Sequence, residues 1–216
     1  MPFDWDFAKS ILPRLAEASI ITVQATVCAF AVAAVLGLML AIGRRSQYCE
    51  IRFPIIGFVE VIRSTPLLIQ LYFLFFVLPH VGVTLPPFTS GVIGLGLHYS
   101  TYTSEVYRAG IESVPKGQWE AALALNYSRY HMFRRVILPQ AIPPVIPALG
   151  NYLISMFKDT PLLAAITVME LMHTANVIAS ERFLYVEPMT LVGLIFLGVS
   201  VISVFFLRYL ERRLAR

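Results

Sequence analysis

Four stretches of this chain carry no charged side chain: Ala18–Gly43, Ser64–Ser104, Val136–Phe157 and Pro188–Leu207. A helix needs about 20 apolar residues to cross the ~30 Å hydrocarbon core of a bilayer. Each stretch is long enough to cross, and the second nearly suffices for two crossings. A soluble domain would need more polar surface than 14% charged residues and a mean hydropathy of +0.72 provide. The chain is therefore expected to be an all-α integral membrane protein, a single transmembrane domain over residues 1–216.

Five spans fit, roughly over 18–43, 53–79, 88–112, 138–166 and 187–208, with the turn LPHVGVTLPPFTS between the second and third. The cations sort onto one side. Arg44, Arg45 and Arg52 follow span 1, and Lys116, Arg129, Arg134 and Arg135 follow span 3; Arg208, Arg212, Arg213 and Arg216 close the chain. Only Lys9, Arg14 and Arg182 fall on the other side. The N-terminus is expected outside and the C-terminus in the cytoplasm, a distribution that explains the net charge of +4 without nucleic acid. Asp4 and Asp6 stand where a signal peptide carries positive charge. Residues 3–15 are expected as a short interfacial helix feeding span 1. Cys28 and Cys49 suggest neither a disulfide framework nor a metal site, and His80, His98, His131 and His173 lack ligand spacing. Gly37, Gly94, Gly96 and Gly193 are expected where helices pack closely.

Three cations remain in or beside spans: Arg63, Arg108 and Lys158. Arg63 lies about 11 residues beyond Arg52, ~16 Å at 1.5 Å per residue, near mid-membrane. Glu60–Arg63 and Glu105–Arg108 are spaced i, i+3 on one helical face, and Lys158 adjoins Asp159. Charges at membrane depth face a bundle interior or a wet cavity. Two of these cations open nearly identical stretches, Arg63-Ser-Thr-Pro-Leu-Leu and Lys158-Asp-Thr-Pro-Leu-Leu. Proline removes a helix N–H and clashes with the carbonyl four residues earlier, so Pro66 should free Ile62 O and Pro161 should free Phe157 O. Such breaks are tolerated where they line a cavity or pack in protein, and in transporters paired breaks point to the solute site. Plain proline kinks held by internal salt bridges are the other reading these residues allow.

Between spans 3 and 4 lies a segment, 114–137, too apolar for an ordinary loop. Pro115 and Gly117 punctuate a helix start, and Glu120-Ala121-Ala122 opens a helix whose small residues admit another surface closely. Asn126 sits where a left-handed residue would join two short helices. A basic second helix, Tyr127–Val136, should end at Leu138-Pro139. The result is a docking knob or, alternatively, a surface-lying amphipathic loop without a partner.

The same stretch resembles the E-A-A-x3-G-x9-I-x-L-P signature of ABC importer permeases, running Glu120-Ala121-Ala122, Asn126 and Val136-Ile137-Leu138-Pro139. Asn126 replaces the usual Gly and Val136 the usual Ile. More narrowly, RSTPLLIQLYFLFFVLP, YTSEVYRAGIESVPKGQWEAA, LPQAIPPVIPALGN and KDTPLLAAI, within residues 63 to 166, resemble polar amino-acid permeases of the histidine/glutamine/arginine type. Pro161 departs from that family, which usually has Ser after Lys-Asp-Thr.

The resemblance implies a multi-pass subunit of the bacterial inner membrane, paired with a second, identical or homologous permease. It further implies two cytoplasmic ATPase subunits that hold ATP and Mg, and an extracytoplasmic solute-binding protein. Glu120, Ala121, Ala122 and Asn126 would contact the ATPase. The chain has no GxxxxGK[ST] phosphate loop of its own, so it is expected to bind no nucleotide and to catalyse nothing covalent. For a zwitterionic or cationic solute, Asp159 would face an ammonium or guanidinium and Arg63 or Lys158 a carboxylate. Thr65, Thr160 and the freed carbonyls would add neutral hydrogen bonds. Pairing of Lys158 with Asp159 for structure alone stays open, and Glu105 with Arg108 reads as structural. The competing class is an ion-coupled secondary carrier or channel subunit with Glu60 and Asp159 as proton relays, which leaves the E-A-A segment unexplained.

Overall fold

The computed structural model describes residues 3–214, which are helical throughout with no strand among them. Helix α1, Trp5–Arg44, opens on Asp4, whose carboxylate accepts the N–H groups of Asp6 and Phe7 at 3.0 Å. The segment expected as an interfacial helix and the first span form one unbroken element. At 1.5 Å per residue its 40 residues reach about 60 Å, twice the hydrocarbon thickness, so α1 must extend well beyond it.

The second expected span is two pieces, α2 (Cys49–Ser64) and α3 (Leu67–Tyr72), the latter continuing through a π turn, Phe73–Val77, to a 3-10 turn, Leu78–Val81. The pieces bend by 105° at Thr65-Pro66. Helix α4 is Pro87–Glu112, α5 is Lys116–Ala124 and α6 is Arg129–Met132. Helix α7, Leu138–Asp159, ends in a 3-10 turn, Thr160–Ile166. Helix α8, Leu171–Arg182, lies in what reads as a loop in the sequence, and α9 is Val186–Leu214. Arg216, placed on the cytoplasmic side above, lies outside the described residues.

Leu138-Pro139 does not end a helix, contrary to expectation: the chain stays helical from Arg129 to Ile166. A π turn at Phe133–Ile137 gives the reason. Leu138 N–H bonds Phe133 O, five residues back, and this wider ring makes room for the proline.

Three helices are long and apolar enough to cross a membrane, Trp5–Arg44, Arg129–Ile166 and Val186–Arg213, and the bent α2–α3 pair makes a fourth candidate. Helix α4 has the length, 26 residues, but not the apolarity. Its polar residues are buried against protein: Ser90, Ser100, Thr101, Thr103 and Ser104 are all almost fully enclosed. They meet the alanine seam of α1 (Ala25, Ala29, Ala33), and Thr103 donates to Ala33 O at 2.8 Å. A Cβ at Gly37 would lie 2.0 Å from Thr103 Oγ1 and one at Gly96 2.6 Å from Val32, so close approach requires both glycines. Gly193, expected at such a contact, faces open space.

The contacts also fix helix directions. Gly96 meets Val32, Gly37 meets Thr103 and Arg44 meets Glu105, so α1 and α4 run parallel. Gly110 meets Val145 while Gly91 meets Leu163, so α7 runs antiparallel to α4. Gly150 against Leu207 and Phe157 against Phe196 make α9 antiparallel to α7.

Candidate functional site

The two near-identical Thr-Pro stretches fold differently. Thr65 is extended (φ −103°, ψ 132°), as a residue before proline prefers, and the helix stops there. Thr160 keeps a helical backbone (φ −57°, ψ −29°), and Pro161 enters the first turn of a 3-10 segment that carries straight on. The carbonyls expected to be free are both occupied. Ile62 O accepts from Gln70 Nε2 at 2.7 Å, and the same nitrogen reaches Thr65 O at 2.9 Å. Phe157 O accepts the Thr160 hydroxyl at 2.7 Å, while the Thr65 hydroxyl donates to Val61 O at 2.7 Å. The threonine hydroxyls and the carbonyls thus bond to one another and to Gln70 across the breaks, and Thr160 is fully buried. Gln70, which sequence reasoning missed, is the residue that bridges the bend; only a glutamine eight residues beyond Ile62, in a broken helix, could have hinted at it.

Around this break lies a cluster of polar and aromatic side chains. Tyr99 donates to Asp159 Oδ2 at 2.6 Å, which joins α4 to α7. Tyr102 and Tyr152 stack beside it with ring centroids 5.7 Å apart, and His98 packs 5.2 Å from Tyr102. His98 Nδ1 faces Gln70 Oε1 at 3.3 Å, linking the cluster to the bend. None of these aromatic groups stands out in the sequence by motif. Their positions on α4 (98, 99, 102) follow the three-to-four spacing that places them along one side.

One helical turn on, Glu105 is a hub. Arg44 of α1 and Arg108 of α4 both donate to it, the latter at 2.8 Å, and Arg63 of α2 stands 3.6 Å away. Arg108 also reaches Glu112 at 2.6 Å. Arg63 therefore does not pair with Glu60, as its spacing suggested, but reaches across to another helix. The bend turns it there and lays its guanidinium over the Tyr102 ring at 5.2 Å. Glu105 and Arg108 do pair as expected. Two carboxylates, Glu105 and Glu112, among three guanidiniums leave the hub positive, and Arg63, the farthest of the three from Glu105, is the one over the Tyr102 ring. Lys158 is exposed and joins no ion pair among the described residues, so it does not pair with Asp159. Glu60 is exposed and forms no side-chain hydrogen bond or ion pair among the described residues, so none of their bonds links it to Asp159.

The segment at 114–137 forms two short helices joined by a turn. Asn126 adopts the left-handed conformation (φ 56°). Its N–H bonds Leu123 O at 2.9 Å and Tyr127 N–H bonds Ala122 O at 3.1 Å, the Schellman pattern that closes a helix C-terminus. The first helix begins at Lys116, a turn before Glu120. Glu120, Ala121 and Asn126 are exposed, but Ala122 is 2% exposed and packs with Val114, Met132, Ile137 and Ala141. Ala122 therefore holds the two helices together and presents no surface outward. Leu123 (62% exposed) and Leu125 (68%) do, and the sequence reading passed over both.

Residues 33–216 match the model of the family described as binding-protein-dependent transport system inner membrane component. The chain is 43% identical over 221 aligned positions to a probable amino-acid ABC transporter permease, y4tG, of Sinorhizobium fredii, covering 99% of this chain and 96% of that protein. It is 34% identical over 216 positions to the glutamine transport system permease GlnP of Escherichia coli, covering 99% of each. Among solved structures it is similar to an amino acid ABC transporter crystallised with histidines, with a TM-score of 0.94, 34% identity, and 99% and 100% of the two chains covered. The inward-facing MetNI methionine transporter shares the fold at a TM-score of 0.74 and 19% identity.

Proposed function

Because this chain belongs to the family of binding-protein-dependent transport system inner membrane components, we propose that it carries a polar or charged amino acid, or a related zwitterion, inward by alternating access through five spans. It is the permease subunit of an ABC importer in the bacterial inner membrane, and ATP is hydrolysed by separate subunits. The helix directions support five crossings. Helices α1 and α4 run parallel, the bent α2–α3 pair supplies the return between them, and α7 and α9 alternate. With the arginine-rich ends of α1 and α9 inside, the N-terminus lies outside.

The observation that carries the solute assignment is Asp159, held by Tyr99 beside the aromatic rings of His98, Tyr102 and Tyr152. A carboxylate beside ring faces suits an ammonium or guanidinium. Arg63, only loosely drawn to Glu105, meets the solute's carboxylate. Thr65 and Thr160 shape the backbone at the site, and Lys158 stands at its margin. The partners are two ATPase subunits holding ATP and Mg, a second permease, and an extracytoplasmic binding protein. Helix α5 docks on an ATPase through Glu120, Ala121, Leu123, Leu125 and the Asn126 turn, with Ala122 packed behind them.

The test is uptake of labelled glutamine, histidine and arginine by the whole transporter in proteoliposomes. Asp159→Asn should lower uptake at least about tenfold, equivalent to ~1.4 kcal/mol, with the complex assembled as before. Parallel loss of assembled complex would assign Asp159 to structure instead, and unchanged uptake would remove it from the solute path.

A further inference from the structure

On the face of α7 opposite Tyr152 and Asp159, helices α1, α7 and α9 line an open groove of about 620 Å3. Its walls include Val23 and Phe30 of α1, Leu149 and Leu153 of α7, and Val199 and Phe206 of α9. Two hydroxyls reach it, those of Thr26 and Ser203, and Thr26 already donates to Thr22 O at 2.8 Å. An amino acid would find no charge or paired donor here. The occupant must be apolar along its length.

Size narrows the choice. The lining residues of α9 run from Val199 to Leu210, about 16 Å at 1.5 Å per residue. A groove of that length and volume admits extended hydrocarbon chains. Charge narrows it further. The lining stripe of α9 (Val199, Ser203, Phe206, Leu210) continues at the same three-to-four spacing to Arg213, one turn past the groove. The Arg213 guanidinium is held by the Tyr209 hydroxyl at 2.8 and 3.1 Å and joins no carboxylate among the described residues. Arg208 and Arg212 lie on other sides of the helix.

We propose that this groove is a bound-phospholipid site: an acyl chain lies between α1, α7 and α9, and the phosphodiester of an acidic glycerophospholipid sits on Arg213. The site requires only that the chain spans the membrane, and it is independent of which solute is carried. A guanidinium clamped by a phenol is pre-set for a phosphate oxygen, and losing the Arg would weaken the headgroup without emptying the groove.

The transporter complex, washed free of lipid in mild detergent, is titrated with phosphatidylglycerol and read by native mass spectrometry. The wild type should retain a phosphatidylglycerol molecule per permease chain. Ser203→Phe, which fills the groove, should lose it, and Arg213→Gln should weaken retention at least about tenfold, an effect that added salt reproduces in the wild type. Equal retention by wild type and Ser203→Phe would overturn the site. Retention unchanged in Arg213→Gln would overturn the phosphate contact and with it the choice of a phospholipid. Fewer permease copies per complex in Ser203→Phe, with lipid retained, would make the groove a contact between copies and overturn the proposal. Arg213 lies at an exposed helix end, so its variant tests the site even if Ser203→Phe fails to fold.

Discussion

Gln70→Leu removes, in one substitution, the hydrogen bonds that replace the one Pro66 abolishes. Two carbonyls depend on Gln70 Nε2, Ile62 O at 2.7 Å and Thr65 O at 2.9 Å. An unsatisfied buried polar group costs about 1–3 kcal/mol. Both residues are half-buried, and Ile62 O keeps a long contact from Thr65 N–H at 3.4 Å, so the lower end applies to each. The total is about 2 kcal/mol, which for a chain of this size lowers the melting temperature by roughly 4–8 °C. Thermal unfolding of the purified chain in one detergent, followed by circular dichroism, measures it. The decisive comparison is made in a Pro66→Ala background. The alanine restores a backbone N–H for Ile62 O, so part of what Gln70 supplies becomes redundant there. A double-mutant cycle should give a coupling of about 1 kcal/mol, with Gln70→Leu milder when Pro66 is absent. Strict additivity would refute the idea that Gln70 serves the proline break and would reduce it to a packing residue.

The remaining expectations concern other elements. Asn126→Gly should leave thermal stability and ATPase co-purification unchanged, whereas Asn126→Val forces a β-branched residue into a left-handed turn at about 1–2 kcal/mol and should reduce recovery of the ATPase; equal recovery by both would detach the turn from docking. Gly37→Leu should abolish folded protein on size exclusion, because its Cβ alone would sit 2.0 Å from Thr103 Oγ1, while Gly193→Ala, facing open space, should be silent. Burial pushes the Glu170 carboxyl, which caps α8 in the connection between α7 and α9, up to about 7 from 4.5. The folded state then holds its proton more tightly than the unfolded, so this group's contribution to stability is greatest below pH 4.5, falls as pH rises to 7, and levels off beyond. The drop is of order 3 kcal/mol, and Glu170→Gln should flatten the melting temperature across that window.

The membrane class, the helical content and the paired short helices at 114–137 were legible because each rests on local signals: charge-free length, and a left-handed turn residue between apolar periodic runs. Helix α8 was not, since Leu171–Arg182 mixes His, Asn, Ser and Glu with apolar residues, and its burial comes from packing on Leu15, Ala18 and Val192 far away in sequence. The burial of Ala122 was also hidden. An alanine in a docking motif looks like a contact, and only the fold of the second helix back onto the first turns its methyl inward.

The paired Thr-Pro stretches show most plainly where local reading stops. Both sequences can break a helix or continue as a tight one, and the proline alone does not choose. At Pro66 a glutamine in the next turn can satisfy the freed carbonyls, and the bend brings Arg63 toward Glu105 on another helix; breaking is compensated twice. At Pro161 the Thr160 hydroxyl reaches Phe157 O by itself, and Leu163 and Ile166 are fully buried in the central cluster, so the chain gains by running straight. Asp159 then stays on α7, opposite Tyr99, instead of swinging away at a bend. Moving the glutamine from the first stretch to the second tests this argument. Gln70→Leu combined with Ala165→Gln should weaken the bend at Pro66 and leave Pro161 unbent, because burial rather than an amide holds the second stretch. A spin-label distance across Pro161 that changed by several ångströms would show instead that the amide alone decides.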